Sequence, residues 1–311
     1  MNKIGSFFKL VRWPNLLITA VMMCLVYHCL MQFDSSAPFT LLVISMVLIQ
    51  AGGYVINDIF DKEIDVVNKP DKLIVGKVFT EKQCNVFYIA LTVIGLACAL
   101  AASVMALGKS FVSIFACMVL LACFLYSYSA RYKKKLVVGN LIVSLSVAFA
   151  VFVPWLFEML YISKHELLLI TLEPLMKISL RFVLIYTAFA FLMTLIREIV
   201  KDMQDVKGDG RSHCRTIPIV WGMTVAQILV IVLSFVTCAI IWIAADYFNG
   251  LGFKITYYML YASWVFAFIV IINNLILITD KSLRTERQFR LQSMWLKISM
   301  LLGVLSMFCV K

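Results

Sequence analysis

Charged side chains are scarce in this chain of 311 residues. They make up 14% of it, whereas hydrophobic residues make up 63% and the mean hydropathy is +0.96. Soluble globular domains carry about 25% charged residues and about half apolar ones. The composition therefore excludes a disordered chain or a fibrous repeat, and it argues against an ordinary soluble enzyme. It predicts a polytopic membrane protein made of α-helices.

Several common site signatures are also missing. The three histidines are scattered, and the nine cysteines contain no C-x-x-C pair. Zinc sites and disulfide frameworks usually show such pairs at short spacing, so neither is expected. Walker A, G-x-G-x-x-G and G-x-S-x-G patterns are absent as well. ATP-driven pumping and serine hydrolysis therefore have no support.

Nine apolar segments are long enough to cross a bilayer, which requires roughly 20 residues each. We expect helices, because an isolated apolar strand leaves its backbone unsatisfied in lipid, and these runs lack the alternation of a barrel. The predicted fold is all-α, with one membrane domain over residues 1–311. The predicted spans are about 15–33, 38–56, 85–107, 110–128, 136–157, 179–198, 218–244, 256–279 and 291–310.

The basic residues are divided unequally between the two sides that these spans define. The side with the N-terminus and the loops after spans 2, 4, 6 and 8 carries 21 of the 28 Lys and Arg residues. The positive-inside rule makes this side cytoplasmic and leaves the C-terminus outside. The same side holds 12 of the 17 acidic residues, which the rule does not require. This face is therefore expected to be chemically active.

Two acidic clusters lie on this side. Cluster one follows span 2, where Asn57, Asp61 and Asp65 stand at i, i+4 and i+8. On a helix each such step drifts by only about 40°, so the three side chains share one face, with Asp58 beside it. Cluster two follows span 6 and consists of Asp202, Asp205 and Asp209, at i, i+3 and i+7. Cluster one repeats that spacing from Asp58 onwards, and spans 2 and 6 run in the same direction.

Grouped carboxylates at a membrane-facing cavity require a counter-ion. Mg²⁺ commonly takes one or two carboxylates, several waters and a substrate phosphate, and two clusters suit ions that grip a diphosphate. A single acidic cluster could equally be an ordinary solvated loop, but that interpretation does not explain two clusters with matched spacing. Ca²⁺ storage is a weak rival, because no EF-hand loop is present. The predicted metal ligands are Asn57, Asp58, Asp61, Asp65, Asp202, Asp205 and Asp209.

Basic residues near the clusters would neutralise the rest of a diphosphate. Each of them could instead be an ordinary positive-inside residue. Tyr128, at the end of span 4, fits an aromatic belt or, in a sharper interpretation, stabilises a cation in an apolar cavity. The predicted diphosphate contacts are Lys72, Lys133, Arg197, Lys201 and Arg211.

These motifs resemble the UbiA superfamily of intramembrane prenyltransferases. Residues 57–65 resemble its first aspartate-rich motif and residues 197–209 its second, and nine helices with motifs after helices 2 and 6 match as well. The surrounding residues, including Gly139-Asn140, are similar to the (geranylgeranyl)glycerol-phosphate prenyltransferase branch. Two departures concern Lys72-Leu73, where the family usually has Arg-Pro, and the Tyr-x-x-x-Lys element. In that element Lys133 follows Tyr128 one position late.

The resemblance implies a bundle around a central cavity and Mg²⁺-dependent transfer of a long prenyl group from its diphosphate. Geranylgeranyl diphosphate is the donor that the branch implies. Asp61, Asp205 and Tyr128 are the implied catalytic residues. The implied acceptor is the glycerol hydroxyl of a prenylglycerol phosphate; the alternative is an aromatic quinone precursor. The expected partners are these lipids and the bilayer, with no nucleic acid and no obligatory protein partner.

An ion-coupled transporter is the rival from another class, because intramembrane acids can form ion pathways. Transporters, however, place such groups near the bilayer midplane, whereas these acids stand at helix ends. A prenyltransferase in detergent consumes prenyl diphosphate and releases pyrophosphate with Mg²⁺, and a transporter does not.

Replacing either central aspartate should separate activity from folding. We expect Asp61→Ala and Asp205→Ala each to abolish Mg²⁺-dependent prenyl transfer, because each removes a metal ligand. Pyrophosphate release measures the activity, and circular dichroism checks that the helices remain. Full activity in both variants would refute the metal-site interpretation.

Overall fold

The architecture was obtained from a computed structural model, which describes residues 3–30, 36–68, 73–110, 112–133, 135–164, 166–211 and 214–310. Within these ranges the regular elements are helices, apart from one isolated bridge between Val75 and Phe79. The all-α prediction is confirmed. The α-helices are α1 (Lys3–Leu10), α2 (Trp13–Leu30), α3 (Ser36–Phe60), α4 (Lys62–Asn68), α5 (Glu81–Leu107), α6 (Val112–Ser127), α7 (Val138–Ile162), α8 (Glu166–Arg211), α9 (Ile217–Val220), α10 (Met223–Gly250), α11 (Lys254–Thr279) and α12 (Glu286–Ser306).

Eight of the described helices are long and apolar enough to cross a membrane, and each coincides with a predicted span. The remaining predicted span corresponds to α1 and α2, which together pass the same test but are bent by 54°. Arg12, in the bend, has a positive φ of 53°. Pro14 then stands in the first turn of α2, where its missing N–H costs nothing. The chain is thus bent at Arg12, just before the predicted start of the first span.

Helix α8 is much longer than the predicted span 179–198. It has 46 residues and therefore extends about 70 Å, more than twice the thickness of a bilayer core. Charged residues at both ends lower the local hydropathy without ending the helix. Near the start, Glu173 and Lys177 form an i, i+4 ion pair at 2.8 Å. Near the end, the helix continues through all three aspartates of cluster two.

The chain divides into two compact units. The first consists of Met1–Lys133 and Phe152–Leu180, and the second of Lys134–Val151 and Arg181–Lys311. Cluster one belongs to the first unit and cluster two to the second. Because both α7 and α8 cross the division, neither unit is one continuous stretch of chain. The single domain over residues 1–311 stays a prediction.

Glycines allow the helices of the first unit to approach closely. A Cβ on Gly52 would lie 2.7 Å from Thr92 Oγ1 of α5, and one on Gly53 would lie 2.9 Å from Leu125 Cδ1 of α6. These two adjacent residues therefore give α3 room for a different neighbour on each side. On α5, a Cβ on Gly95 would lie 2.9 Å from Ile49 Cγ1 and 3.2 Å from the backbone nitrogen of Ile49. Such small residues are typical of helix contacts in lipid.

Polar bonds between helices hold the second unit together. Ser263 and Ser299 each donate a hydroxyl hydrogen bond to the other's backbone carbonyl, at 2.9 and 2.8 Å. Gln292 Nε2 donates to Asn273 Oδ1 at 2.7 Å. Each bond of this kind contributes roughly 0.6–2 kcal/mol in a membrane. Because the partners lie on α11 and α12, these bonds fix the register of the two helices.

The close approach of α3 and α5 can be tested at Gly95. Gly95→Ala should destabilise the protein by about 1–3 kcal/mol, because the added methyl group meets the backbone of Ile49 and cannot be accommodated by a rotamer change. A lower apparent melting temperature in detergent would show this. Gly250→Ala is the matched control, since a Cβ there has no neighbour within 4 Å. Equal melting temperatures for the two variants would contradict the packing described.

Candidate active site

Cluster one lies on a helix that continues past the end of α3. The backbone N–H of Asp61 donates to Asn57 O at 2.9 Å, and that of Asp65 donates to Asp61 O at 2.8 Å. These i to i+4 bonds carry the helical path from α3 into α4. Asn57, Asp61 and Asp65 therefore follow one face, as their spacing predicts.

Asn57 and Asp61 form a buried polar pair. Their exposures are 7% and 6%, and Asn57 Nδ2 donates to Asp61 Oδ2 at 2.7 Å. Asn57 Oδ1 is buried and has no hydrogen-bond partner among the described residues. An unsatisfied buried acceptor costs roughly 1–3 kcal/mol. The pair therefore presents an oxygen that still requires a cation or a donor.

Lys133 supplies positive charge to this pair, since its ammonium group contacts Asp61 Oδ2. It reaches that position through a π-helical turn, Tyr128–Tyr132, at the end of α6. The N–H of Lys133 donates to Tyr128 O at 2.8 Å, five residues back. A π turn contains one residue more than an α turn, so Tyr128 and Lys133 lie one turn apart. The extra residue in the Tyr-x-x-x-Lys element is accommodated in this way.

Asp58 has a different partner, which sequence reasoning missed. Arg12 Nη2 lies 2.8 Å from Asp58 Oδ1, and the guanidinium carbon is 4.8 Å from the centre of the Tyr54 ring. Asn15 Nδ2 donates to the hydroxyl group of Tyr54 at 3.3 Å. In the sequence Arg12 is one of three basic residues before span 1, which the positive-inside rule explains without a site. Arg12 thus pairs with Asp58 and Lys133 with Asp61, and Asn57 Oδ1 is the acceptor of cluster one that has no partner among the described residues.

Cluster two lies on the last turns of α8. Its three aspartates are all half-buried, and Asn140 Nδ2 of α7 donates to Asp202 Oδ2 at 2.8 Å. Each cluster thus combines an asparagine amide with an aspartate, although the asparagine comes from the same helix in one case and from another helix in the other. Sequence reasoning noted Asn140 only as part of a resemblance. No spacing signal could link it to Asp202, because 62 residues separate the two.

Two predicted diphosphate contacts share a buried acid. Glu198 is 7% exposed and pairs with Arg197 Nη1 at 3.1 Å and with Lys201 Nζ at 2.9 Å. Glu198 was not among the predicted site residues. Glu198 therefore holds both cationic side chains in place beside cluster two.

Two other predicted contacts have no described side chain. Lys72 lies outside the described residues. Arg211 ends α8, and the structure describes only its backbone. Asp65, Asp205, Asp209 and Tyr128 are half-buried, and their proposed roles remain predictions.

The donors present fit an ion that takes part of its ligands from elsewhere. No three His, Cys, Asp or Glu side chains in the described part of the chain converge on one point. Mg²⁺ does not need such a cage, because it retains waters and takes oxygens from a bound phosphate. The unpaired Asn57 Oδ1 beside the Asp61 carboxylate is the type of oxygen pair that it uses. Apolar spans with these charges at helix ends define a membrane protein suited to a phosphate-bearing substrate.

Comparison with known proteins identifies the family. Residues 15–300 match the UbiA prenyltransferase family, and the chain belongs to it. The predicted resemblance is thereby confirmed, and the protein is a membrane-embedded prenyltransferase.

Its relatives agree with the branch that the motifs indicate. The chain is 33% identical over 194 residues to the digeranylgeranylglyceryl phosphate synthase of Saccharolobus solfataricus, a match that covers 61% of this chain and 60% of that one. It is 29% identical over 238 residues to the synthase of the same name from Sulfurisphaera tokodaii, covering 74% and 76%.

Solved structures show the same fold. A structure described as digeranylgeranylglyceryl phosphate synthase in membranes aligns with a TM-score of 0.66 at 21% identity, over 99% of this chain and 98% of that one. A UbiA homologue from Archaeoglobus fulgidus, bound to DMAPP and Mg²⁺, aligns with a TM-score of 0.51 at 15% identity, over 96% and 99%.

The two acids of cluster one should respond differently to neutral replacement. The rate of Mg²⁺-dependent transfer should fall more than 100-fold in Asp61→Asn. In Asp58→Asn it should remain within about tenfold of the wild type, because Asp58 is held by Arg12.

Thermal unfolding of Arg12→Ala, Asp58→Asn and the double variant should give a coupling energy of about 1 kcal/mol between Arg12 and Asp58. Equal losses of activity for Asp58→Asn and Asp61→Asn would instead make Asp58 a metal ligand.

Proposed function

We propose that this protein transfers a geranylgeranyl group from its diphosphate to the glycerol hydroxyl of a prenylglycerol phosphate, with Mg²⁺ as the cofactor. The observation that carries the proposal is the buried Asn57–Asp61 pair, with one unpaired oxygen and the Lys133 ammonium group on Asp61. Relatives that are named digeranylgeranylglyceryl phosphate synthase support the choice of donor and acceptor.

The donor diphosphate requires groups that neutralise its leaving charge. Asn57, Asp61 and Asp65 would hold Mg²⁺ in one unit, and Asp202, Asp205 and Asp209 would hold it in the other. When bound, Mg²⁺ supplies electrostatic stabilisation of the departing diphosphate. Lys133, which contacts Asp61, would donate to a phosphate oxygen of the bound donor. Arg197 and Lys201 would add charge-assisted hydrogen bonds, already ordered by Glu198.

The reaction replaces one C–O bond by another. The bond between the allylic carbon and the diphosphate breaks, and the electron pair leaves with the diphosphate. The glycerol oxygen then bonds to that carbon, and this new C–O bond is a second ether on the glycerol. The hydroxyl proton goes to the departing diphosphate. A dry apolar surrounding prevents water from capturing the allylic cation first. The aromatic ring of Tyr128 would stabilise that cation through its π face.

Orientation follows from charge in this proposal. The side with 21 of the 28 basic residues would face the cytoplasm, so that both clusters receive substrates made there.

Product analysis tests the reaction directly. Purified protein incubated with geranylgeranyl diphosphate, Mg²⁺ and prenylglycerol phosphate should release pyrophosphate and yield a diether that mass spectrometry identifies. EDTA should abolish the reaction, because it removes the Mg²⁺ that the cluster carboxylates would hold, and added Mg²⁺ should restore it. A product only with an aromatic quinone precursor would overturn the proposed acceptor and leave prenyl transfer intact. Transfer that persists in EDTA would refute the metal requirement.

A further inference from the structure

A cavity of about 620 Å³ lies in the unit that carries cluster two. Three parts of the chain line it: the end of α8 with Met203 and Val206, the start of α10 with Met223, and the segment 284–290 that leads into α12. No aspartate of either cluster is part of its wall. The cavity therefore differs in composition from the candidate active site.

The wall of this cavity is strongly basic. Arg284, Arg287 and Arg290 all line it, and Glu286 is the only carboxylate among its lining residues. Arg284 is fixed in place, because its Nε donates to Leu277 O at 2.8 Å and its Nη2 donates to Thr224 Oγ1 at 3.1 Å. Three of its five N–H donors remain for a ligand.

The other two arginines are exposed. Within the ranges that the structure describes, neither Arg287 nor Arg290 has an ion pair. Both lie in the first turns of α12, three residues apart, so their side chains project towards the same side of the helix. Their guanidinium groups can bind a phosphate with two parallel hydrogen bonds each.

The remaining lining is largely apolar, with Met203, Val206, Met223 and Phe289. A soluble anion would gain nothing from these side chains, and an apolar peptide would gain nothing from three arginines. A molecule with an anionic head and a hydrocarbon part complements both features. Basic pockets beside transmembrane helices commonly bind the headgroups of anionic lipids.

We propose that this cavity binds the phosphate headgroup of an anionic bilayer lipid. The bound lipid would connect the segment 284–290 to the end of α8. Met203 and Gln204, which line the cavity, stand between Asp202 and Asp205 in the sequence. A lipid bound in this cavity would therefore restrict the motion of the turn of α8 that carries cluster two. The proposal does not depend on which acceptor the enzyme uses.

Native mass spectrometry of the full chain in detergent, titrated separately with phosphatidylglycerol and phosphatidylcholine, tests this site. The wild type should prefer phosphatidylglycerol, and the preference should weaken as the salt concentration rises. Arg287→Gln/Arg290→Gln should bind phosphatidylglycerol about 30-fold more weakly, because each basic side chain near an anionic headgroup contributes roughly fivefold. Both side chains are exposed, so unchanged circular dichroism is expected.

Lys82→Gln/Lys281→Gln is the matched control, because it removes two exposed charges that do not line the cavity. It should stay within about twofold of the wild type. Equal weakening in both double variants would show general attraction to the protein and overturn the site. Equal binding of the two lipids by the wild type would do the same. If inorganic phosphate displaces phosphatidylglycerol at similar concentrations, the occupant is a free anion and the lipid proposal is wrong.

Discussion

The carboxylate of Asp61 is 6% exposed at the end of a membrane-spanning helix, where an unpaired charge would be strongly unfavourable. Asn57 and Lys133 supply the compensation, and much of the first unit serves to bring them there. Gly53 gives Leu125 of α6 room against α3, and the π turn at the end of α6 then presents Lys133. The ion pair between Asp61 and Lys133 thus depends on a glycine and on one additional residue in a helical turn.

In the second unit, buried carboxylates are also compensated by neighbouring cations and amides, although other residues supply them. Glu198 is buried between Arg197 and Lys201, and Asp202 accepts a hydrogen bond from Asn140 of another helix. In both units the acids are therefore ordered before any substrate binds. Carboxylates ordered in this way would hold the proposed Mg²⁺ in a fixed position, and preorganised positive charge of that kind stabilises a departing anion. Arg12 compensates Asp58 in the same way, through an ion pair at 2.8 Å.

The contacts that stabilise the fold and the charged residues of the candidate site lie in different parts of the helices. Close glycine contacts between α3 and α5, and hydroxyl bonds between α11 and α12, lie within the apolar spans. The acids and basic residues of the two clusters stand near the ends of these spans. Apolar packing tolerates substitution, and a UbiA homologue at 15% identity shares this fold.

The sequence by itself determined the class of the fold, eight of the nine predicted spans and the two acidic clusters, because hydropathy and helical spacing are local properties. It also indicated the UbiA family, since the motif residues lie within short stretches. Only the tertiary structure decided the partners: Arg12 with Asp58, Lys133 with Asp61, and Asn140 with Asp202 are 46, 72 and 62 residues apart. The bend between α1 and α2 and the full length of α8 were likewise visible only in the tertiary structure. Contacts across such distances depend on how helices pack, and no spacing within a single segment can encode that.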